Sequence, residues 1–237
     1  MITERPATAR GHGPAQTDWL QSRHTFSFGG YYDPQWMGFG ALRVINEDRV
    51  AGGAGFAPHR HANMEILSYV ISGALAHRDS SGADGVIRAG QLQWMGAGHG
   101  VQHSEFNASD TEPVHFLQIW LQPDQVNAAP GYALRAATAD EGWQLLASPG
   151  GEDGSLAIRQ NAHLHRIGLA PGVAASRLLD PGRRYWLHVA SGAVTVDDRH
   201  LVAGDGLGFT AESGSLALSG GAAAPGPADV LWFDLPG

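Results

Sequence analysis

Apolar and polar residues alternate along most of this chain, while stretches with the period of an amphipathic helix are scarce. Segments 40–46, 65–71 and 114–121 are short, rich in Val, Ile, Leu and aromatic residues, and predict strands. Turn signals follow closely at Ser72-Gly73, Ser81-Gly82 and Ala89-Gly90. From Gln122 to Gly154 the rhythm breaks into Pro-Asp, Ala-Pro-Gly and Ser-Pro-Gly-Gly with scattered charge, which marks a boundary between two units. Strands resume over 155–159, 163–167, 185–190, 193–196 and 228–235. Short strands joined by tight turns predict an all-β sandwich or barrel. The chain therefore divides into a first domain over 1–130 and a second over 131–237.

A weak internal repeat supports two copies of one unit. Val70-Ile-Ser-Gly-Ala-Leu-Ala-His77 is followed by Ile87-Arg-Ala-Gly-Gln91, and Val189-Ala-Ser-Gly-Ala-Val-Thr-Val196 by Leu201-Val-Ala-Gly-Asp205. Both read as strand, Ser-Gly turn, strand, then an Ala-Gly turn.

Composition narrows the chemistry. The chain has 237 residues, 43% of them hydrophobic, enough for packed cores. It has no cysteine, which excludes disulfides, thiolate metal sites and cysteine nucleophiles, so any metal must be held by His and carboxylate. All 15 basic residues are arginine, so Schiff-base lysine chemistry is excluded. A net charge of −8 with no basic cluster beyond Arg183-Arg184 argues against direct nucleic-acid binding. Residues 1–16 lack an apolar signal-peptide core and no 18-residue apolar run occurs, so the expectation is a cytoplasmic protein without membrane contact.

The strongest chemical signal is Pro58-His-Arg-His-Ala-Asn-Met-Glu65. On one extended strand His59, His61 and Glu65 share a face. Burying two imidazoles side by side is costly without a partner, and a bound cation supplies one. The second signal is Gly98-His-Gly-Val-Gln-His103-Ser-Glu105-Phe-Asn107, in which His103 and Glu105 again share parity. Two strands would then present three nitrogens and one carboxylate, with coordination positions left open. Such a site suits Fe(II), and equally Mn, Ni, Co, Cu or Zn.

The spacing Gly53-x5-His59-x-His61-x3-Glu65-x7-Gly73 is close to the first cupin motif, and Gly90-x5-Gly96-x-Gly98-x4-His103-x3-Asn107 resembles the second. Gly96 replaces the usual proline and the gap before the histidine is longer. That variant resembles the pirin family, as do His24-Thr-Phe-Ser-Phe28, Tyr31-Tyr-Asp-Pro34, Met37-Gly-Phe-Gly40 and the closing Leu231-Trp-Phe-Asp-Leu-Pro236. The resemblance implies a bicupin, two tandem jelly-roll barrels, with His59, His61, His103 and Glu105 holding one divalent metal in the first barrel and none in the second. It further implies a quercetin 2,3-dioxygenase-like enzyme that opens a small aromatic flavonol with O2 and releases carbon monoxide. Glu105 would accept or orient the proton of the substrate's 3-hydroxyl. Other pirins imply an alternative, a metal-bound transcriptional co-regulator with a protein partner and no turnover. A cupin enzyme that is not an oxygenase is a third reading.

The remaining candidates are weighed on local pattern. Glu65 ligates in ordinary cupins, but Glu105 takes over that place here, leaving Glu65 a supporting or structural role. His99 lies in a Gly-rich turn near a cavity mouth, whereas His24, His77 and His115 read as structural histidines. His163-x-His165 has no following His/Glu pair, so it predicts no second metal site. Phe56, Met64, Trp94, Met95 and Trp120 belong to core or cavity lining.

Overall fold

Where the sequence alternates, the backbone is extended. The computed structural model describes residues 1–14, 18–136, 142–222 and 226–237, and among them the regular structure is β apart from two three-residue 3-10 turns. No helix among the described residues is long and apolar enough to cross a membrane.

In the N-terminal half a seven-stranded sheet forms around Val114–Leu121, which pairs antiparallel with Leu42–Val50 on one side and Glu65–Ser72 on the other. Gln91–Gly96 and Gly131–Ala136 extend it at one edge, Leu20–His24 and Gly11–His12 at the other. A four-stranded sheet runs Gly55–His61, Val101–Asn107, Ala74–Asp79 and Asp84–Arg88. The two sheets meet over Val50, Val70 and Phe116 from the larger, and Leu75 and Ile87 from the smaller.

The C-terminal half repeats this arrangement. Its larger sheet runs Ile2–Arg5, Gly206–Thr210, Arg183–Ser191, Ala228–Pro236, His163–Leu169, Gly142–Ser148 and Leu156–Ala157, and its smaller one Ala174–Leu179, Gly214–Gly220, Ala193–Val196 and Arg199–Val202. The repeat legible in the sequence is thus a repeat of structure. Gly73 and Gly192 occupy equivalent hairpins at φ 77° and 75°. A Cβ on either would lie under 3 Å from a backbone carbonyl, Pro113 O at 2.8 Å and Pro227 O at 2.7 Å, so only glycine serves there.

The chain crosses between halves at both ends. Gly131–Ala136 lies just past the expected boundary yet pairs with Gln91–Gly96 of the first sheet, while Ile2–Arg5 pairs with Gly206–Thr210 of the second. Between the halves, Leu42, Ile45, Leu67, Leu117 and Ile119 share one apolar core with Leu146, Leu164, Trp186, Leu231 and Phe233. Each such side chain contributes about 1.5–3 kcal/mol on burial. A polar tie crosses the same seam: Tyr69 Oη donates to Asp229 Oδ2 at 2.5 Å, while Arg166, within the C-terminal sheet, holds the other oxygen through Nε at 2.8 Å.

Glu65 belongs to this seam. Asn63, at φ 50°, breaks the strand, so Glu65 starts a new strand in the other sheet and does not share a face with His59 and His61. Its Oε2 accepts from Trp94 Nε1 at 2.7 Å and from the Arg159 backbone N–H at 2.9 Å. Burial pushes its carboxyl above the usual range, against the pull of those donors. Glu65→Ala would leave both N–H groups unpaired and should lower the unfolding free energy by about 2–3 kcal/mol in urea titration.

Candidate metal centre

Strands Gly55–His61 and Val101–Asn107 run antiparallel with His59 opposite His103 and Val101 opposite His61, and a bulge between His103 and Glu105 then sets Glu105 opposite Phe56. Gly55 allows this approach: a Cβ there would come within 2.4 Å of Glu105 O and 2.5 Å of Phe106 Cα. The pairing draws three imidazoles together, with ring centroids 4.4 Å apart for His59–His103, 4.8 Å for His59–His61 and 4.9 Å for His61–His103. One nitrogen from each lies within 4.8 Å of the others.

The protonation states suit a cation. His59 Nδ1 sits 2.8 Å from the Ala57 carbonyl, which only accepts, so Nδ1 donates there and Nε2 is the nitrogen left for a cation. His61 is pushed down to about 4 by burial and then by His59. His103 is pushed down to about 3, by burial first and then by its imidazole neighbours. His103 is 2% exposed, and neither of its ring nitrogens has a hydrogen-bond partner. Buried polar atoms without partners are uncommon because each costs about 1–3 kcal/mol. Three imidazoles converging on one point, with His61 and His103 held neutral by burial, fit a divalent transition metal.

Glu105 is buried on the same wall. Ser68 Oγ donates to its Oε1 at 3.0 Å, and Gln118 Nε2 donates to Oε2. Burial, with the Asp48 carboxyl adding to it, pushes Glu105 up to about 7. Glu105 joins the cluster through His103: atoms of His77, His103 and Glu105 also lie within 4.8 Å of one another.

These residues line a cavity of about 470 Å³ whose other walls include Trp19, Phe28, Phe56, Trp120 and the polar Asn46, Asp48 and Gln118. Asn46 and Asp48 escaped the sequence reading. Each is 4% exposed, and each has an Oδ1 without a partner. Burial pushes Asp48 up to about 7, opposed by a hydrogen bond from Ser22 and helped by Glu47. Their signal was present in Leu42–Val50, where Leu42, Val44, Asn46, Asp48 and Val50 are all buried. Two polar residues on an otherwise apolar inward face mark a site wall.

Phe56 and Trp120 line the cavity, whereas Met95 is fully buried and packs with Ile66, Ala97 and Val101, with Met64 against them. Trp94 holds Glu65. His99 borders a separate opening with Arg60, Ser80 and His61, so His61 stands between the two spaces. His115 is paired with Glu47 at 2.8 Å, and His24 packs on Phe28 at 5.3 Å. His77 was read as a strand histidine, but its ring lies 5.4 Å from that of His103, beside the site. His165 is held by Arg177 at 2.8 Å, and no cluster of three metal-binding groups includes His163 or His165 among the described residues.

Residues 4–121 match the Pirin family, and residues 145–235 match the quercetinase C-terminal cupin domain. The chain is 43% identical over 236 residues to a quercetin 2,3-dioxygenase of Escherichia coli (strain K12), covering 100% of this chain and 99% of the relative. It is 41% identical over 211 residues to a putative quercetin 2,3-dioxygenase of Pseudomonas aeruginosa, covering 87% and 90%. The crystal structure of the Escherichia coli bacterial pirin YhhW in complex with nickel(II) superposes with a TM-score of 0.92 at 42% identity, covering 100% of this chain and 99% of that one.

Burial of Glu105 has a consequence for the metal-free protein. Its folded-state pKa of about 7 lies above the ordinary 4.5, so the stability it contributes is full below about pH 4.5 and is lost as pH rises through about 7. Metal-free Glu105→Gln should therefore lose less stability than the metal-free parent between about pH 5 and 7.5, as read by thermal unfolding.

Proposed function

Because the chain belongs to the pirin family, we propose that it is a metal-dependent dioxygenase that opens a quercetin-like flavonol with O2 and releases carbon monoxide. The observation that carries this reading is the convergence of three imidazoles and one buried carboxyl in a single aromatic-walled cavity. His59, His61, His103 and Glu105 are the proposed ligands of one divalent metal, Fe(II) in this reading, with Mn, Ni, Co, Cu and Zn also suited to the donors. A nickel complex of a 42% identical pirin supports a divalent ion in such a site. The bound ion would supply Lewis acidity and, if redox-active, electron transfer to O2.

The chain's own residues do the rest. The rings of Phe28, Phe56 and Trp120 offer flat apolar walls to a fused aromatic substrate. The cavity volume falls within the range of about 300–1,000 Å³ typical of small-molecule sites. Asn46 and Asp48 present acceptor oxygens suited to ring hydroxyls. Glu105, on the cavity wall beside His103, is placed to take or orient a hydroxyl proton. Ser68 and Gln118 hold its two oxygens in place for that transfer.

Protein reconstituted anaerobically with Fe(II), then given quercetin and O2, should consume O2, release carbon monoxide and lose the flavonol absorbance. Glu105→Gln should cut kcat by about 10²- to 10⁴-fold while still folding. His59→Ala should abolish stoichiometric metal and turnover together. Stoichiometric metal with no loss of flavonol would count against the dioxygenase and favour a metal-bound regulator.

A further inference from the structure

We infer that His77 and Asp79 form a buried dyad that positions the imidazole of His103 for metal binding, an assignment that rests on the metal reading above. Both residues lie on Ala74–Asp79, and pairing with Val101–Asn107 sets His77 directly across from Glu105 and Asp79 directly across from His103. The His77 and Asp79 side chains are 0% and 1% exposed.

His77 Nε2 lies 3.1 Å from Asp79 Oδ2. The other carboxylate oxygen is occupied by its own turn: Oδ1 accepts from Ser81 N at 2.8 Å, Ser81 Oγ at 2.6 Å and Ala83 N at 3.2 Å. That turn fixes which oxygen faces the ring. An ionised carboxylate only accepts, so the ring proton stays on Nε2 and Nδ1 carries a lone pair. Nδ1 is buried and has no partner. Tyr132 stacks on the ring at 4.7 Å and 22°, which fixes its plane.

His103 has the complementary need. Once one of its nitrogens binds a cation, the other carries a hydrogen that must find an acceptor in a buried setting. Neither nitrogen has one within the protein, and His77 is a neighbouring ring with an unused lone pair. The resulting order is Asp79 accepting from His77, and His77 accepting from His103. It sets the ring orientation and tautomer of the ligand, as outer partners of metal-bound imidazoles generally do.

The test is Co(II) titration of the metal-free protein against a competing chelator, with the visible spectrum recorded at saturation. His77→Phe keeps the stack on Tyr132 but offers no acceptor. Asp79→Asn keeps Oδ1 for the turn and turns an NH2 toward His77, which forces its proton onto Nδ1 and removes the acceptor. Both should bind Co(II) about 10- to 100-fold more weakly, with an altered spectrum, while the metal-free thermal unfolding of Asp79→Asn stays close to the parent. Parental affinity and spectrum in both variants would overturn the dyad and leave the metal centre standing. A loss in His77→Phe as complete as in His59→Ala would also overturn it, by making His77 a ligand. If His77→Phe fails to fold, Asp79→Asn alone decides. Parent protein that takes up no Co(II) would overturn the metal reading and the dyad together.

Discussion

The register that sets His59 against His103 is the constraint on which the site depends. Side chains on a sheet alternate faces, so a slip of Gly55–His61 by one residue would send His59 and His61 to the far face, away from His103. The strands approach closely enough because Gly55 has no side chain to meet the Glu105 and Phe106 backbone. Glu105 faces inward because it lies two residues from His103, and the bulge adds its extra residue on the facing strand, which sets Phe56 opposite Glu105. Register and glycine together bring His59, His61, His103 and Glu105 to the wall of one cavity.

Preorganisation of that kind leaves buried polar atoms unpaired in the free protein. His103 has two, Asn46, Asp48 and His77 one each, and all surround or adjoin one cavity. The rest of the molecule carries that cost. The large sheets of the two halves share a single apolar core, and Glu65, Tyr69, Arg159, Arg166 and Asp229 tie the seam with buried or half-buried bonds. Strands crossing at both ends make each half part of the other's sheet.

The second barrel repeats the strand topology around a packed apolar interior. Ala174–Leu179 and Gly214–Gly220 take the places of the two histidine strands, and neither contains a histidine. Val194, Val196, Leu216, Leu218 and Trp232 fill the interior as one packed cluster. Strand topology is common to both halves, and only the inward residues of two strands separate a cavity from a core.

Local pattern was enough to read the all-β class and the repeated hairpins, and it put His59 with His61 and His103 with Glu105 on shared faces, because strand periodicity assigns faces within a single segment. It failed where the buried face is shallow or where the partner is remote in sequence. Ala174–Leu179 alternates only between exposed and half-buried positions, so its inward face is weakly marked. Glu65 shares parity with His61 along the chain, but Asn63 turns the backbone and sends the carboxylate to Arg159, 94 residues away. His77 becomes a neighbour of His103 only through strand pairing. Thus the sequence by itself determined which groups face inward, since that is set by backbone geometry one residue at a time. Tertiary structure decided which inward groups meet, since that depends on register, bulges and crossing strands that bring distant segments within a few ångströms.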